Sequence, residues 1–203
     1  MMISLSETLS WYEQNAQVFE SRTATVDMTR IYDLFLSYVV QGGNILDAGC
    51  GVGRDALAFA ERGYQVTAID GSLEMVKRTR LRTANHSVSV YQMLFSGIAW
   101  HNQFDGFWCC ASLLHLTQEE QKEAYNKLAQ ALKPSGIGYV SFKLGSGIRL
   151  DNGRYFYDMD EERLRYILEG TSLSLRSCII TQEQSPEREV VKWVNAVLEA
   201  KNS

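Results

Sequence analysis

The chain has 203 residues, 45% of them hydrophobic and 22% charged, with a formal net charge of −4 and a pI near 5.5. That size suits one α/β domain with a substantial core, and the acid-leaning balance argues against a large nucleic-acid footprint, which needs clustered Lys and Arg. No apolar run approaches the roughly 18 residues needed to span a bilayer, and the opening Met1-Met2-Ile3-Ser4-Leu5-Ser6-Glu7 lacks a basic region followed by an apolar one, so no membrane partner and a cytoplasmic location are expected.

In chain order, a helical pattern starts near Ser6, with Trp11, Tyr12, Ala16 and Phe19 at its apolar positions and Ser4 or Ser6 placed to cap it. A second helix is predicted over 26–40 from Met28, Ile31, Leu34, Phe35 and Tyr38, stopped by Gln41-Gly42-Gly43. Strand 44–48, helix 54–62, strand 64–70 and helix 72–83 follow, then strands near 88–93 and 106–111. Thr117-Gln118-Glu119-Glu120 reads as a capping box for a helix reaching Leu132, and Lys133-Pro134-Ser135-Gly136 breaks the chain before strand 137–143. Asp160 is placed to cap a helix to Leu168, closed by Gly170. Two β-rich stretches, 172–182 and 190–198, are joined by a connection from Glu183 to Glu189 that suits a hairpin. Such alternation means a parallel sheet covered on both faces, finished by an antiparallel pair. The basic run Lys77 to Arg82 reads as the solvated face of a helix. Neighbouring Cys109 and Cys110 point to opposite faces of a strand, and the four cysteines lack metal-type spacing, so no metal is expected.

The most informative feature is Asp47-Ala48-Gly49-Cys50-Gly51-Val52-Gly53, which closes the apolar strand Asn44-Ile45-Leu46 and leads into a helical pattern. Alternating glycines let the backbone turn sharply and leave no Cβ in the way of a ligand on the main chain. A second acid, Asp70, ends the next apolar strand at about the 20-residue offset where a carboxylate meets a ribose in Rossmann-like units. Together these predict a nucleotide-type ligand. The third small position of G-x-G-x-x-G is Arg54, which weighs against a nicotinamide oxidoreductase, and no G-x-x-x-x-G-K-[ST] occurs.

The D-x-G-x-G-x-G spacing resembles the first motif of the class I methyltransferases that use S-adenosyl-L-methionine, and Asp70-Gly71-Ser72-Leu73-Glu74-Met75-Val76 resembles their second. Phe104 to His115 is similar to the family's fourth-strand motif and Leu132 to Lys143 to its turn and fifth strand. The wording GRDALAF, ASLLH and GRYF is shared with small bacterial methyltransferases of the tellurite-resistance-like kind. The resemblance implies an α/β, Rossmann-like methyltransferase fold: a mostly parallel seven-stranded sheet with helices on both faces and a C-terminal antiparallel hairpin. It also implies one domain over 1–203, with 1–41 as a helical cap over the cofactor site.

The resemblance assigns S-adenosyl-L-methionine as cofactor, leaving S-adenosyl-L-homocysteine as product. Asp70 would accept from the ribose hydroxyls, within the turn it shares with Gly71 and Ser72. The backbone of Gly49, Cys50 and Gly51 would lie along the methionine portion. Asp47 either orients that loop or reaches the ammonium group through water, and Met75 lies either against the adenine or in the core. Leu94 and Phe95 occupy the edge where relatives grip adenine; many have an Asp nearby, and this chain has Ser96 instead. Cys110 and Ala111 would line the sulfonium end. Tyr12 and Arg22 either close over the cofactor, with Arg22 pairing with its carboxylate, or are ordinary surface positions, and Arg54 is a further candidate for the same region.

For the reaction, His115 and Lys143 sit at predicted C-terminal rims of strands, where open α/β sheets bind ligands. Each is a candidate base, with packing or a solvated strand end as the alternative. Arg154 and Tyr155, in the 144–159 segment, are placed to form a lid. Trp11, Tyr12, Trp108, Tyr155 and Phe156 are candidate walls of an acceptor pocket, Trp108 being more at home in the core. A small-molecule acceptor is expected, with a thiol or chalcogen species as candidates because a soft anion needs little help from a base. A non-catalytic module holding the same cofactor is the alternative.

Overall fold

The computed structural model describes residues 5–185 and 188–201, with the backbone alone described for 183–185, 188 and 189. Five parallel strands build its centre: β1 (Asn44–Ala48), β2 (Gln65–Asp70), β3 (Val88–Gln92), β4 (Phe104–Cys109) and β5 (Leu132–Lys143). The long hairpin β8 (Leu173–Ser185) and β9 (Arg188–Ala200) completes a seven-stranded sheet of order β3-β2-β1-β4-β5-β9-β8, with β9 antiparallel to both neighbours. This is the Rossmann-like methyltransferase fold expected from the sequence. Between them, β6 (Gly147–Asp151) and β7 (Arg154–Asp158) form a separate two-stranded hairpin.

Consecutive strand residues face opposite sides, so pairs such as Ile45/Leu46, Phe107/Trp108 and Tyr139/Val140 feed two cores at once. One core packs Leu46, Phe107 and Val140 against α5 (Gln118–Ala131) and α6 (Glu161–Glu169). The other packs Ile45, Trp108 and Tyr139 against Phe35 of α2 (Thr29–Leu36) and Phe59 of α3 (Arg54–Glu61). Trp108 and Tyr139 stack at 3.8 Å between ring centres. Gly138 lies where a Cβ would overlap the Phe107 ring. Gly138→Ala should therefore lower stability by about 1–3 kcal/mol through overpacking, read as a drop in the thermal midpoint; an unchanged midpoint would show that the Phe107 ring can move aside.

The caps follow the sequence closely. Thr117 and Glu120 form the capping box of α5, Asp160 caps α6 by accepting from the Arg163 amide at 2.8 Å, and Ser72 caps α4 (Leu73–Arg82). Several expectations need correction. Ser6 lies inside the first helix, α1 (Leu5–Thr23), and Ser4 lies outside the described residues, as do 186 and 187 of the expected hairpin connection. The second helix is shorter than predicted, because the segment before Thr29 is held by a turn and an Asp27–Thr29 bond. The β4 strand starts two residues before the predicted 106, and β5 starts at Leu132, with a register shift where Ser135 takes φ +64°. The basic run on α4 is not simply solvated: Arg78 and Arg82 both pair with Glu20 of α1.

The 144–159 segment, in which Arg154 and Tyr155 were the candidate lid residues, holds a tight hairpin with Asn152 and Gly153 at φ +50° and +76° in its turn. An Asn-Gly pair is the strongest short-range hairpin signal, and it was present to be read. Among the described residues, no helix is long and apolar enough to cross a membrane.

Candidate functional site

The C-terminal ends of β1, β2, β4 and β5 open into a cavity of about 1100 Å³. That is at or above the upper end of the roughly 300–1,000 Å³ typical of small-molecule sites. The helix α1 lies across it. Glu13 accepts from the amides of Leu73 and Glu74 at 2.5 and 3.2 Å, and Thr8 accepts from the Tyr155 amide at 3.1 Å. The helix is therefore tied to α4 on one side and to the β6–β7 hairpin on the other.

The turn after β1 is built as its glycines demand. Gly49 has φ +82°, which L side chains rarely adopt, and a Cβ there would overlap Ser112. Gly51 donates its amide to Asp70 Oδ2 at 2.9 Å, and Ser72 donates to Oδ1 at 2.8 Å. One carboxylate thus joins the two motifs, each oxygen keeping acceptor capacity towards the cavity. Burial raises the Asp70 carboxyl to about 6, opposed by these amides and assisted by Glu13.

Of the expected residues, Gly49, Cys50, Gly51, Asp70 and Gly71 line this cavity. So do Leu94 and Phe95 on the β3 side, Cys110 at the end of β4, and Tyr12 and Arg22 from α1. Met75 is packed against Val52 and Ala16, as its core reading expected, and also reaches the cavity wall. Ser72 and Asp47 are not on that wall. Ser72 is fully buried as a cap, and Asp47 is 1% exposed behind the loop, held by the Ala56 amide with its Oδ2 unpartnered. Burial, with Asp55 close by, pushes the Asp47 carboxyl well above its ordinary value.

Arg54 reaches the cavity but is committed elsewhere. Its Nε and Nη2 grip Asp55 at 2.6 and 2.9 Å, while Nη1 donates to the Thr23 carbonyl and Nη2 to Cys110 Sγ. Asp55 also accepts from the Tyr32 hydroxyl at 2.5 Å and the Trp108 indole at 2.8 Å. No motif singles out Asp55, because an acid in the first turn of a helix is common for the helix dipole alone.

At the far side, Ala111 takes φ +51°, its amide held by Ser141 Oγ at 2.9 Å, and swings the chain into a short 3-10 turn, Leu113–His115. That turn delivers His115 to the cavity. The imidazole is bonded at both nitrogens: Nδ1 lies 2.7 Å from the Tyr155 carbonyl and Nε2 lies 2.7 Å from the Tyr12 hydroxyl. A carbonyl only accepts, so Nδ1 carries the proton and Tyr12 donates to Nε2. Burial lowers the His115 pKa to about 4; the Tyr155 carbonyl works against that, and Arg154, Lys143 and Arg149 add to it. Burial likewise raises the Tyr12 hydroxyl to about 12. His115 should thus stay neutral down to about pH 4, seen by following its ring protons by NMR; a midpoint near 6.5 would contradict the buried pair. The unfolded chain binds this proton below about 6.5, whereas the folded chain waits until about 4. The group therefore removes stability as pH falls through that window.

Lys143 is half-buried at the end of β5, its Nζ 4.8 Å from the centre of the Phe156 ring. Trp11, Tyr12, Arg154 and Phe156 line the same chamber. Tyr155 and Trp108 do not: both side chains are turned into the core.

Residues 45–136 match a family model described as a methyltransferase domain. The ubiquinone biosynthesis O-methyltransferase of Xanthomonas campestris pv. campestris (strain B100) is 35% identical over 104 residues, covering 49% of this chain and 43% of that protein. The chain spans about half the length of the curated relatives it matches. Among solved structures, the Burkholderia thailandensis 1,6-didemethyltoxoflavin-N1-methyltransferase, with 1,6-didemethyltoxoflavin and S-adenosylhomocysteine bound, superposes with a TM-score of 0.77 at 20% identity, over 98% of this chain and 87% of that one. The [4+2]-cyclase SpnF superposes with a TM-score of 0.75 at 19% identity, over 96% of this chain and 95% of that one. Each shares the fold.

Proposed function

We propose that the protein is an S-adenosyl-L-methionine-dependent methyltransferase acting on a small-molecule acceptor. The observation that carries this reading is the Asp70 carboxylate, fastened to the Gly51 and Ser72 amides at the rim of a cavity whose opposite wall holds His115 and Lys143. The fold alone would not do so, since a shared fold hosts unrelated reactions. The matched methyltransferase domain supports it, because residues 45–136 include both motifs.

The residues present fit the cofactor. Asp70 has acceptor sites left for two ribose hydroxyls, and the turn at Gly49 and Gly51 offers bare backbone to the methionine portion. Met75, Leu94 and Phe95 provide apolar surface for the adenine. Arg22, exposed at the rim, rather than Arg54, is free to meet the cofactor carboxylate. The helix α1 serves as the cap over this site, keeping water from the reacting atoms. The bound cofactor supplies an activated methyl on a positively charged sulfur.

His115 is poorly suited to remove a proton. Its free lone pair is taken by Tyr12, and three nearby cations oppose an imidazolium. Its role on this reading is to hold the Tyr12 hydroxyl in place at the cavity wall. That favours an acceptor whose reacting atom is already anionic or easily made so, such as a thiol or chalcogen species. Incubation with methyl-labelled cofactor and an acceptor panel including thiols, carboxylates and tellurite tests the reading. Label transferred to a panel member is the expected result; tight cofactor association with no transfer to any of them would count for a binding module instead.

A further inference from the structure

The hairpin that sequence reading missed changes the electrostatics of the acceptor chamber. It places Arg149 and Arg154 beside Lys143, so that three cations surround one buried ring. The guanidinium carbons of Arg149 and Arg154 lie 4.4 and 5.0 Å from the Phe156 centroid, and Lys143 Nζ lies 4.8 Å from it. Arg154 is also stacked on Trp11 of α1 at 3.9 Å, which fixes its plane at the cavity wall.

Two carboxylates answer these three charges. Asp158 takes Arg149 through bonds of 3.0 and 3.3 Å. Asp151, itself 38% exposed in its side chain, stands 3.5 Å from Arg149 and 3.6 Å from Arg154, a loose contact. Lys143 has no ion pair among the described residues. Arg154 Nε is buried without a hydrogen-bond partner among them. Leaving a half-buried ammonium unpaired is unfavourable, and an anion from outside the chain would offset it; Arg154 Nε is itself shut off from the cavity, but the Arg154 guanidinium is held only loosely by Asp151 and can share that anion. Both groups line the cavity that also holds Asp70 and His115.

Resting on the methyltransferase reading, we infer that the acceptor is a small molecule bearing a carboxylate, seated between Lys143 and Arg154 against Phe156. The charge balance selects a monoanion: one unmatched positive charge is neutralised by a carboxylate and exceeded by a phosphate monoester. A guanidinium and an ammonium supply several N–H donors converging on the oxygens of such a group. The two side chains are specificity determinants that act on the acceptor and not on the cofactor, whose proposed contacts lie at Asp70 and the glycine turn.

The test uses a panel of small carboxylates, each with its primary amide and, where chemistry permits, its phosphate monoester counterpart. Binding is read by ligand-observed NMR on the full chain with S-adenosyl-L-homocysteine present. Carboxylates are expected to bind about tenfold or more tightly than their amides, and to lose about tenfold or more in Lys143→Gln and in Arg154→Gln. Calorimetric titration with S-adenosyl-L-homocysteine on the same three proteins should give unchanged affinity, which also shows that the variants are folded. Equal binding of acids and amides, preference for phosphates, absence of any carboxylate binding, or carboxylate binding unaffected in both variants each overturns the inference. If the homocysteine form itself fails to associate with the unsubstituted protein, the methyltransferase reading fails instead, and the panel is then read on the free chain as a statement about the anion site alone.

Discussion

Asp55→Ala is expected to destabilise the protein by about 3–5 kcal/mol, the usual consequence of removing one partner of a buried ion pair. Asp55 is gripped by two guanidinium nitrogens of Arg54 and accepts from the Tyr32 hydroxyl and the Trp108 indole. Removing it leaves a mostly buried cation and two buried donors without their acceptor, against a total stability of about 5–15 kcal/mol for a typical domain. Asp55→Asn should cost less, because an amide oxygen can still receive one of the neutral donors. The double substitution Arg54→Met, Asp55→Leu should cost less than Asp55→Ala alone, since it removes the charge together with its partner. Denaturant unfolding of the three variants checks the order; a loss below about 1 kcal/mol for Asp55→Ala would show the carboxylate to be dispensable. Burial alone would raise the Asp55 pKa, but Arg54, Tyr32 and Trp108 outweigh it and hold the carboxyl below its ordinary value. Its contribution is therefore present above the unfolded carboxylate's range and is lost as pH falls through the folded value. The same pair also reaches the site, because Arg54 ties the end of α1 at Thr23 to Cys110, just after β4.

The sequence made the half of the cavity proposed for the cofactor legible for a physical reason. The glycine turn and Asp70 owe their geometry to local chemistry, a bend only glycine tolerates and a strand end one βα unit later, so spacing alone locates them. The strands and caps were legible likewise, because Thr117, Asp160 and Gly170 act within a few residues of themselves. The acceptor half depends on contacts across long separations. Tyr12 meets His115 across 103 positions, and Tyr155 meets Thr8 across 147. No periodicity encodes such pairs. Asp47 and Ser72 were placed in the site because they belong to motifs, whereas strand alternation and helix capping turn them away from it. The β6–β7 hairpin was missed although Asn152-Gly153 marks its turn, and with it went the reason why Lys143 and Arg154 stand together.

Asp70→Ala is expected to weaken cofactor affinity by about 1.5–3 kcal/mol, or about 10- to 150-fold, on the proposed reading that its carboxylate accepts from the ribose. The substitution also frees the Gly51 and Ser72 amides, so loss of binding by itself would not separate a ribose contact from a loosened turn. Asp70→Asn makes that separation. It keeps one acceptor oxygen for an amide but loses the charge, and should fall between the two proteins. The pH dependence makes it a second time. With the carboxyl raised to about 6, lowering the pH through that value protonates the group that must accept, so affinity should fall on the acid side by up to about tenfold per pH unit. Neither Asp70→Ala nor Asp70→Asn can titrate there, and each should lose that component of the profile. Calorimetry with S-adenosyl-L-homocysteine between pH 5 and 8 measures all three proteins, and far-ultraviolet circular dichroism shows whether each is folded. Affinity unchanged within error in Asp70→Ala would falsify the ribose assignment, and a wild-type profile flat through about 6 would place the carboxylate outside the binding contact altogether. Asp70 ties the first motif to the second through the Gly51 amide on one side and the Ser72 amide on the other, and among the described residues no other side chain in the cavity accepts from both.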